Sequence, residues 1–236
     1  MSLTTLSINV QIYLPWLQSQ LLALGAKFIR RHIAHIREAF TVTSPPPIAV
    51  INAPGVLALR LGGVEDKDVY PTRGQTILVR NECSKMYFRS SEREGEEPTY
   101  IIPRAFGGGT ILGGSRQHHN WYASSSRRRL IFRSGEVDPN LAHRIATKCV
   151  ALAPELTNGK GVEALDIVKH NVGLRPSRRG GPRLEVEKME GIGLVVHNYG
   201  ISSDSVTDIR RRRSWIPKQL GYGCQGDRIT RTGPFC

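Results

Sequence analysis

Residues 68–114 read DVYPTRGQTILVRNECSKMYFRSSEREGEEPTYIIPRAFGGGTILGG, and this stretch decides the fold. Its apolar runs are short and broken by glycine and proline, so the spacing predicts strands at 75–80, 85–89, 100–103 and 110–112 in an antiparallel arrangement. A polar loop at 90–99, carrying Glu92, Glu94, Glu96 and Glu97, separates two of these strands and is expected to act as a mobile lid. Upstream the pattern differs. Leu14, Leu17, Leu21 and Leu24 recur at helical spacing, with Pro15 expected in the first turn and Gly25 at a left-handed C-cap. A strand at 27–30 and a short helix near 34–40 follow. Thr43-Ser44-Pro45-Pro46-Pro47 then ends helical structure, and the apolar run 48–51 predicts a buried strand. Downstream, Leu141, Ile145, Cys149 and Leu152 share one face of a helix at 139–153, and strands are expected at 171–174, 183–187 and 193–197. The sum is an α/β layer plus an antiparallel-sheet domain, with the chain returning to the first layer at its end.

With 236 residues the chain is long enough for one large domain or two small ones. The best apolar stretch, 14–24, is interrupted by Gln18, Ser19 and Gln20 and falls short of the roughly 20 residues a membrane helix needs, so no membrane is expected as a partner. No basic residue precedes Lys27 and no small-residue cleavage site follows, which argues against a secretory signal. Cys83, Cys149, Cys224 and Cys236 are too far apart for a metal knuckle and suit a reducing, intracellular compartment. Of the formal charge of +13, the run RRRLIFR at 127–133 supplies +4 and residues 201–236 another +4. Neither run is interleaved with aromatics that would stack bases, so nucleic acid is not an expected partner.

Several motifs carry less than their letters suggest. Gly221-Tyr222-Gly223-Cys224-Gln225-Gly226 spells GxGxxG, but no strand pattern precedes it, no helix follows, and the chain stops ten residues later. His32 with His35, and His118 with His119, lack a third ligand at metal spacing. Neither a GxSxG elbow nor a Walker loop occurs, which removes the usual hydrolase and NTPase readings. Residues 123–135 and the tail from Asp204 have no hydrophobic period, and read either as products of gene structure, such as retained intron or shifted frame, or as a disordered insertion and tail.

Three linked blocks are more specific. The first is Asp68-Val69-Tyr70-Pro71-Thr72-Arg73-Gly74-Gln75. The second runs from Tyr100-Ile101-Ile102-Pro103-Arg104 to Gly113-Gly114-Ser115-Arg116-Gln117 and Asn120-Trp121. The third joins Val172-Gly173-Leu174-Arg175-Pro176 to Gly181-Pro182-Arg183 and Val196-His197-Asn198-Tyr199-Gly200. In this order, and with Ile8-Asn9-Val10 through Trp16-Leu17 ahead of them, they resemble the D-amino-acid oxidase and D-aspartate oxidase family, over 8–203 apart from 123–135.

The resemblance implies an incomplete flavin-binding Rossmann-like layer at 1–60, rejoined by 190–203, an antiparallel-sheet substrate domain at 61–189, and a basic tail at 204–236. It implies oxidative deamination of a D-amino acid by hydride transfer to FAD, with oxygen giving hydrogen peroxide. Arg175 and Tyr100 then take the catalytic positions and clamp the substrate carboxylate. A planar, always-charged guanidinium followed by a rigid proline suits that task. Arg116 matches the place where D-aspartate oxidases hold the substrate's side-chain carboxylate, so D-aspartate oxidase is an alternative activity. Ser203 also falls on the substrate side, and Ile33, Arg175, Ser202 and Ser203 on the cofactor side. The family's N-terminal glycine fingerprint has no counterpart, Pro54 stands where the family has a hydroxyl residue, and Asp204-Ser205-Val206-Thr207 replaces a flavin loop. Impaired FAD binding is therefore expected, and a catalytically inactive, truncated member of the family is the other alternative. A homodimer and a peroxisomal location belong to the same resemblance. The C-terminus Gly233-Pro234-Phe235-Cys236 carries no Ser-Lys-Leu address, which leaves the cytoplasm open.

Overall fold

The computed structural model describes residues 4–90, 97–118 and 136–201, together with the backbone of 222–225 and 228–231. It is a mixed α/β chain with antiparallel sheets, in two compact units. The first unit comprises residues 1–30 and 73–174, the second 31–72 and 175–236.

The first unit is built on an antiparallel sheet with the order β3-β4-β5-β2-β6, and β7 also pairs with β2. The strands are β2 (Val69–Val79), β3 (Tyr87–Arg89), β4 (Thr99–Pro103), β5 (Thr110–Gly113), β6 (Gln117–His118) and β7 (Ile167–Arg178). Strands β2 and β7 run on into the second unit. The four short apolar runs read from the sequence are thus strands, longer or shorter by a residue or a few at their ends. Register places Ile77 opposite Leu112, and Ile101 opposite the same residue on its other side. All three are fully buried. Helix α2 (Pro139–Leu152) lays Leu141, Ile145 and Cys149 against them, as the three- and four-residue spacing demands. Asp138 caps it, accepting from the Asn140 and Leu141 amides at 2.9 and 3.1 Å, and Pro139 fits the first turn where no donor is needed.

Helix α1 (Val10–Ala23) begins one turn earlier than the leucine spacing suggests, because Asn9 caps it. Pro15 therefore lies inside the helix rather than in its first turn. Gly25 takes φ +83 as expected, and the Ala26 and Gly25 amides close onto the Leu21 and Leu22 carbonyls. No residue of α1 is buried, so its leucines form no core face among the described residues.

The second unit carries a three-stranded sheet, β1 (Val50–Asn52), β9 (Gly193–Tyr199) and β8 (Arg183–Met189), in the order β1-β9-β8. β1 and β9 are parallel with Asn52 opposite His197, and β8 and β9 are antiparallel. The return of the late chain to the early layer is this pairing. Three expectations need correction. Residues 27–30 form no strand, because extended backbone counts as sheet only with a neighbour to bond and none of the described residues provides one. The segment near 34–40 is a 3-10 helix, Ile36–Thr41. Strand β1 is shorter than 48–51 and its apolar run is not buried: Ile48 ahead of it is 95% and Ile51 71% exposed, since β1 is the edge of its sheet among the described residues, and only its last residue, Asn52, is buried. Of the GxGxxG letters, 222–225 form β10 (Tyr222–Gln225), which pairs antiparallel with the next strand β11 (Arg228–Arg231) and does not lead into a helix. Among the described residues no helix is long and apolar enough to cross a membrane.

Candidate functional site

In the first unit, Tyr100 is the second residue of β4, with Gly113 as its register partner on β5. Its ring lies flat on the backbone of Gly113 and Gly114. A Cβ at Gly113 would sit 2.3 Å from ring carbons, and one at Gly114 2.4 Å. Only glycine leaves that space, so the Gly113-Gly114 pair sets where the phenol points. Below them, the fully buried Cys149 of α2 donates to the Tyr100 and Gly113 carbonyls, at 3.6 Å each. Burial pushes this thiol up to about 12, so it stays protonated as a weak donor and packing atom. Gly113→Ala is expected to cost about 1–3 kcal/mol, because the ring has to move off its platform. A denaturant titration checks this, and a midpoint equal to wild type would refute the platform.

The same strip continues through Ser115 to Arg116, which is exposed at the sheet's edge, and to Gln117. Ser115 Oγ accepts from the Gln75 amide at 2.8 Å, so the strip is tied to β2 immediately before Arg116.

In the second unit, Arg175 stands half-buried near the end of β7, and Pro176 packs 3.9 Å from where a Gly55 Cβ would lie. Gly55 follows Asn52-Ala53-Pro54 at the carboxyl end of β1. At the carboxyl end of the parallel partner β9, Gly200 takes φ +77, and a Cβ there would meet the Arg178 Cβ at 2.8 Å. Pro176 is thereby held at the carboxyl end of β1, and Arg178 at that of its parallel partner β9. Two further contacts fix this strand end. Thr72 Oγ1 and Ser177 Oγ share a buried hydrogen bond of 2.7 Å, and the Arg179 amide donates to the Asp68 carbonyl at 3.0 Å.

A relay of seven polar side chains, which the sequence reading did not single out, links β7 to β1. Arg178 Nε donates to Asp66 Oδ2 at 2.8 Å, and Tyr199 OH donates to the same oxygen at 2.9 Å. Arg183 donates to Tyr199 OH at 3.0 Å and to Glu187 at 2.8 Å. His197 bonds Glu187 through Nε2 at 3.1 Å, and its Nδ1 accepts from Asn52 Nδ2 at 3.1 Å. The signal was present in β8, where Arg183, Glu185 and Glu187 alternate on one face, but their partners lie on other strands.

Burial disfavours the His197 imidazolium, and the neighbouring Arg183 adds to that, so its pKa lies below the ordinary value despite Glu187. The unfolded chain takes up this proton near the usual imidazole value of about 6.5, while the folded chain resists it. The contribution of His197 to stability is therefore complete above about pH 6.5 and is lost as pH falls through the lowered folded-state value. His197→Gln should flatten the dependence of melting temperature on pH between about 7 and 5. If the slope there matched wild type, His197 would not be the group responsible.

The remaining candidates are less well placed. Ile33 is half-buried ahead of the 3-10 helix, while Ser202 and Ser203 lie outside the described residues, as do 91–96 of the lid loop, the segment 119–135 and most of the tail. His35 is a cap: its Nδ1 accepts from the Arg37 amide and its own amide donates to Glu38, which accounts for it without a metal. Among the described residues no cluster of three or more His, Cys, Asp or Glu could hold a metal ion. A cavity of about 240 Å³ in the first unit is lined by Arg89, Glu97, Thr99 and Lys148 among others, and none of the candidate site residues lines it.

Comparison with known proteins gives the context. Residues 3–208 match the family model described as FAD dependent oxidoreductase. A D-amino-acid oxidase of Fusarium vanettenii is 42% identical over 84% of this chain and 53% of its own length. A D-amino-acid oxidase of Schizosaccharomyces pombe is 38% identical over 96% of this chain and 58% of its own. A D-aspartate oxidase of Talaromyces thermophilus is 35% identical over 83% of this chain and 47% of its own. The chain spans about half the length of these relatives.

Proposed function

Because the chain belongs to the FAD-dependent oxidoreductase family, we propose that it takes part in the oxidation of D-amino acids, with Arg175 holding the substrate's α-carboxylate and Tyr100 donating to the same group. The observation that carries this reading is the packing of Pro176, the residue after Arg175, against Gly55 just beyond the carboxyl end of β1, the parallel partner of β9. Two parallel strands end there, with Gly55 and Gly200 at positive φ shortly after them, and this supports a dinucleotide at that place. Ile33, Arg175, Ser202 and Ser203 are the residues proposed to hold FAD. When bound, FAD supplies the acceptor for a hydride from the substrate Cα and returns the electrons to oxygen as peroxide.

The chain's own contribution is orientation. The guanidinium offers a planar pair of donors matched to a carboxylate, and the proline after it restricts the backbone that aims it. The phenol, set by the Gly113-Gly114 platform, adds a third donor. Arg116 is proposed to pair with an acidic side chain, which would make D-aspartate a substrate. A clamp of this kind fixes the Cα–H direction and needs no side-chain base.

A second reading, an inert member of the family, is favoured by α1. Trp16, Leu14 and Leu22 are each more than half exposed, so α1 carries apolar surface that the described residues leave uncovered. One assay separates the two. With excess FAD, the purified chain should release hydrogen peroxide from D-alanine or D-aspartate and not from the L-enantiomers. A well-folded preparation that yields no peroxide from either would support the inert reading.

A further inference from the structure

Arg73 is 3% exposed, yet among the described residues no carboxylate accompanies it. Its guanidinium is held by neutral oxygens: Nη1 donates to Gln117 Oε1 at 3.2 Å, and Nη2 to Gln75 Oε1 at 3.3 Å and to the Glu136 carbonyl at 2.7 Å. Its Nε is buried without an acceptor. An ion kept in such surroundings is costly, and a neutral residue of similar volume would fill the space at less expense in stability. What the guanidinium provides is geometry, one rigid plane spanning three acceptors that come from separate pieces of chain.

Two of the residues that supply those acceptors hold the strip that carries Arg116. Ser115 before it is bonded to the Gln75 amide, and Gln117 after it to Arg73. Gln75 also exchanges hydrogen bonds with Asp138, donating to its carbonyl at 2.8 Å and accepting from its amide at 3.0 Å. The strip carrying Arg116 is thus fixed on both sides to β2, and through β2 to the cap of α2. The same strip, one step earlier, is the Gly113-Gly114 platform of Tyr100.

We infer that Arg73 is a positioning residue that sets the direction of Arg116, so that the choice between an acidic and a neutral D-amino acid depends on this buried guanidinium. The inference rests on the reading of Arg116 as the partner of the substrate's side chain. Arg73→Met removes the donors to Gln117 and Glu136 and frees the strip. Arg73→Lys keeps the charge, but a single ammonium cannot span the three acceptors in one plane, so it restores only part of the effect.

The test is calorimetric binding of D-aspartate and of D-alanine to the full chain with FAD, kept anaerobic and with the flavin reduced beforehand so that neither ligand is consumed, for wild type, Arg116→Ala, Arg73→Met, Arg73→Lys and Gln117→Leu. Wild type should prefer D-aspartate, and Arg116→Ala should lose the preference. Arg73→Met and Gln117→Leu should lower the D-aspartate to D-alanine affinity ratio about tenfold while D-alanine affinity stays within about twofold, because misdirecting one charged group weakens only the ligand that uses it. Arg73→Lys should fall between. A wild type that binds neither ligand or shows no preference, or an Arg116→Ala that keeps the wild-type ratio, defeats the specificity reading and the inference with it. If Arg116→Ala loses the preference while Arg73→Met and Gln117→Leu retain it, the inference alone is overturned. Should Arg73→Met fail to fold, Gln117→Leu decides, since it releases the strip and leaves the bonds from Arg73 to Gln75 and Glu136 in place.

Discussion

Asp66→Ala is expected to cost about 3 kcal/mol, because it leaves Arg178 and Tyr199 in a largely buried site without their shared acceptor. For a chain of this size that corresponds to a fall in melting temperature of roughly 6–12 °C. The Asp66 side chain is 6% exposed and that of Arg178 20%, so water screens the pair only in part. Burial works against the charged carboxylate. Hydrogen bonds from Arg178, Tyr199 and the Asp68 amide outweigh burial and hold the Asp66 pKa below the usual carboxylate value. The folded pKa is the lower one, so this stabilisation is complete above the unfolded value of about 3.9 and is lost as pH falls through the folded value. Asp66→Asn should therefore lose stability at neutral pH and show a shallower acid limb. A variant as stable as wild type at pH 7 would mean that the relay does not hold the end of β7.

Arg175→Met is the substitution with the largest expected effect on turnover. Removing one partner of a desolvated, hydrogen-bonded charge pair costs about 2–5 kcal/mol, which corresponds to a drop in kcat/KM of roughly 30- to 5,000-fold. Arg175→Lys should recover little of it, because an ammonium offers a point charge and not a planar fork. Tyr100→Phe removes one hydrogen bond to a charged group and is expected to lose about tenfold. Steady-state peroxide assays on D-alanine, run beside circular dichroism to show an intact fold, provide the comparison. Near-wild-type kcat/KM for Arg175→Met would remove this arginine from the carboxylate clamp.

The antiparallel sheet was legible in the sequence because its strands are short apolar runs with glycine and proline between them, and that signal is local. Helix α2 was legible for the same reason: Leu141, Ile145 and Cys149 report their own burial by spacing alone. What failed depended on neighbours. The run at 48–51 is as apolar as a buried strand, yet Ile51 is exposed because β1 has only β9 beside it among the described residues. The stretch at 27–30 has strand composition and nothing to pair with. His35 was readable as a cap from Glu38 three residues on, but histidine is not among the usual capping residues.

The candidate site divides in the same way. Arg175 with its proline, and Tyr100 near a strand start, became candidates through their resemblance to a family pattern. Their supports were not, because Gly113 and Tyr100 meet through register, and Asp66 meets Tyr199 across 133 positions of sequence. Arg73 appeared in the sequence only as one letter of a block, and nothing local shows that its guanidinium is buried among neutral oxygens.

Titration of the purified chain with FAD, followed by the quenching of flavin fluorescence and then by gel filtration, tests most directly whether these strand ends form a flavin site. Saturable quenching that Arg175→Met weakens, with flavin absorbance travelling with the protein, is the expected result. Flavin that elutes entirely free, with fluorescence unchanged at every protein concentration, would contradict it.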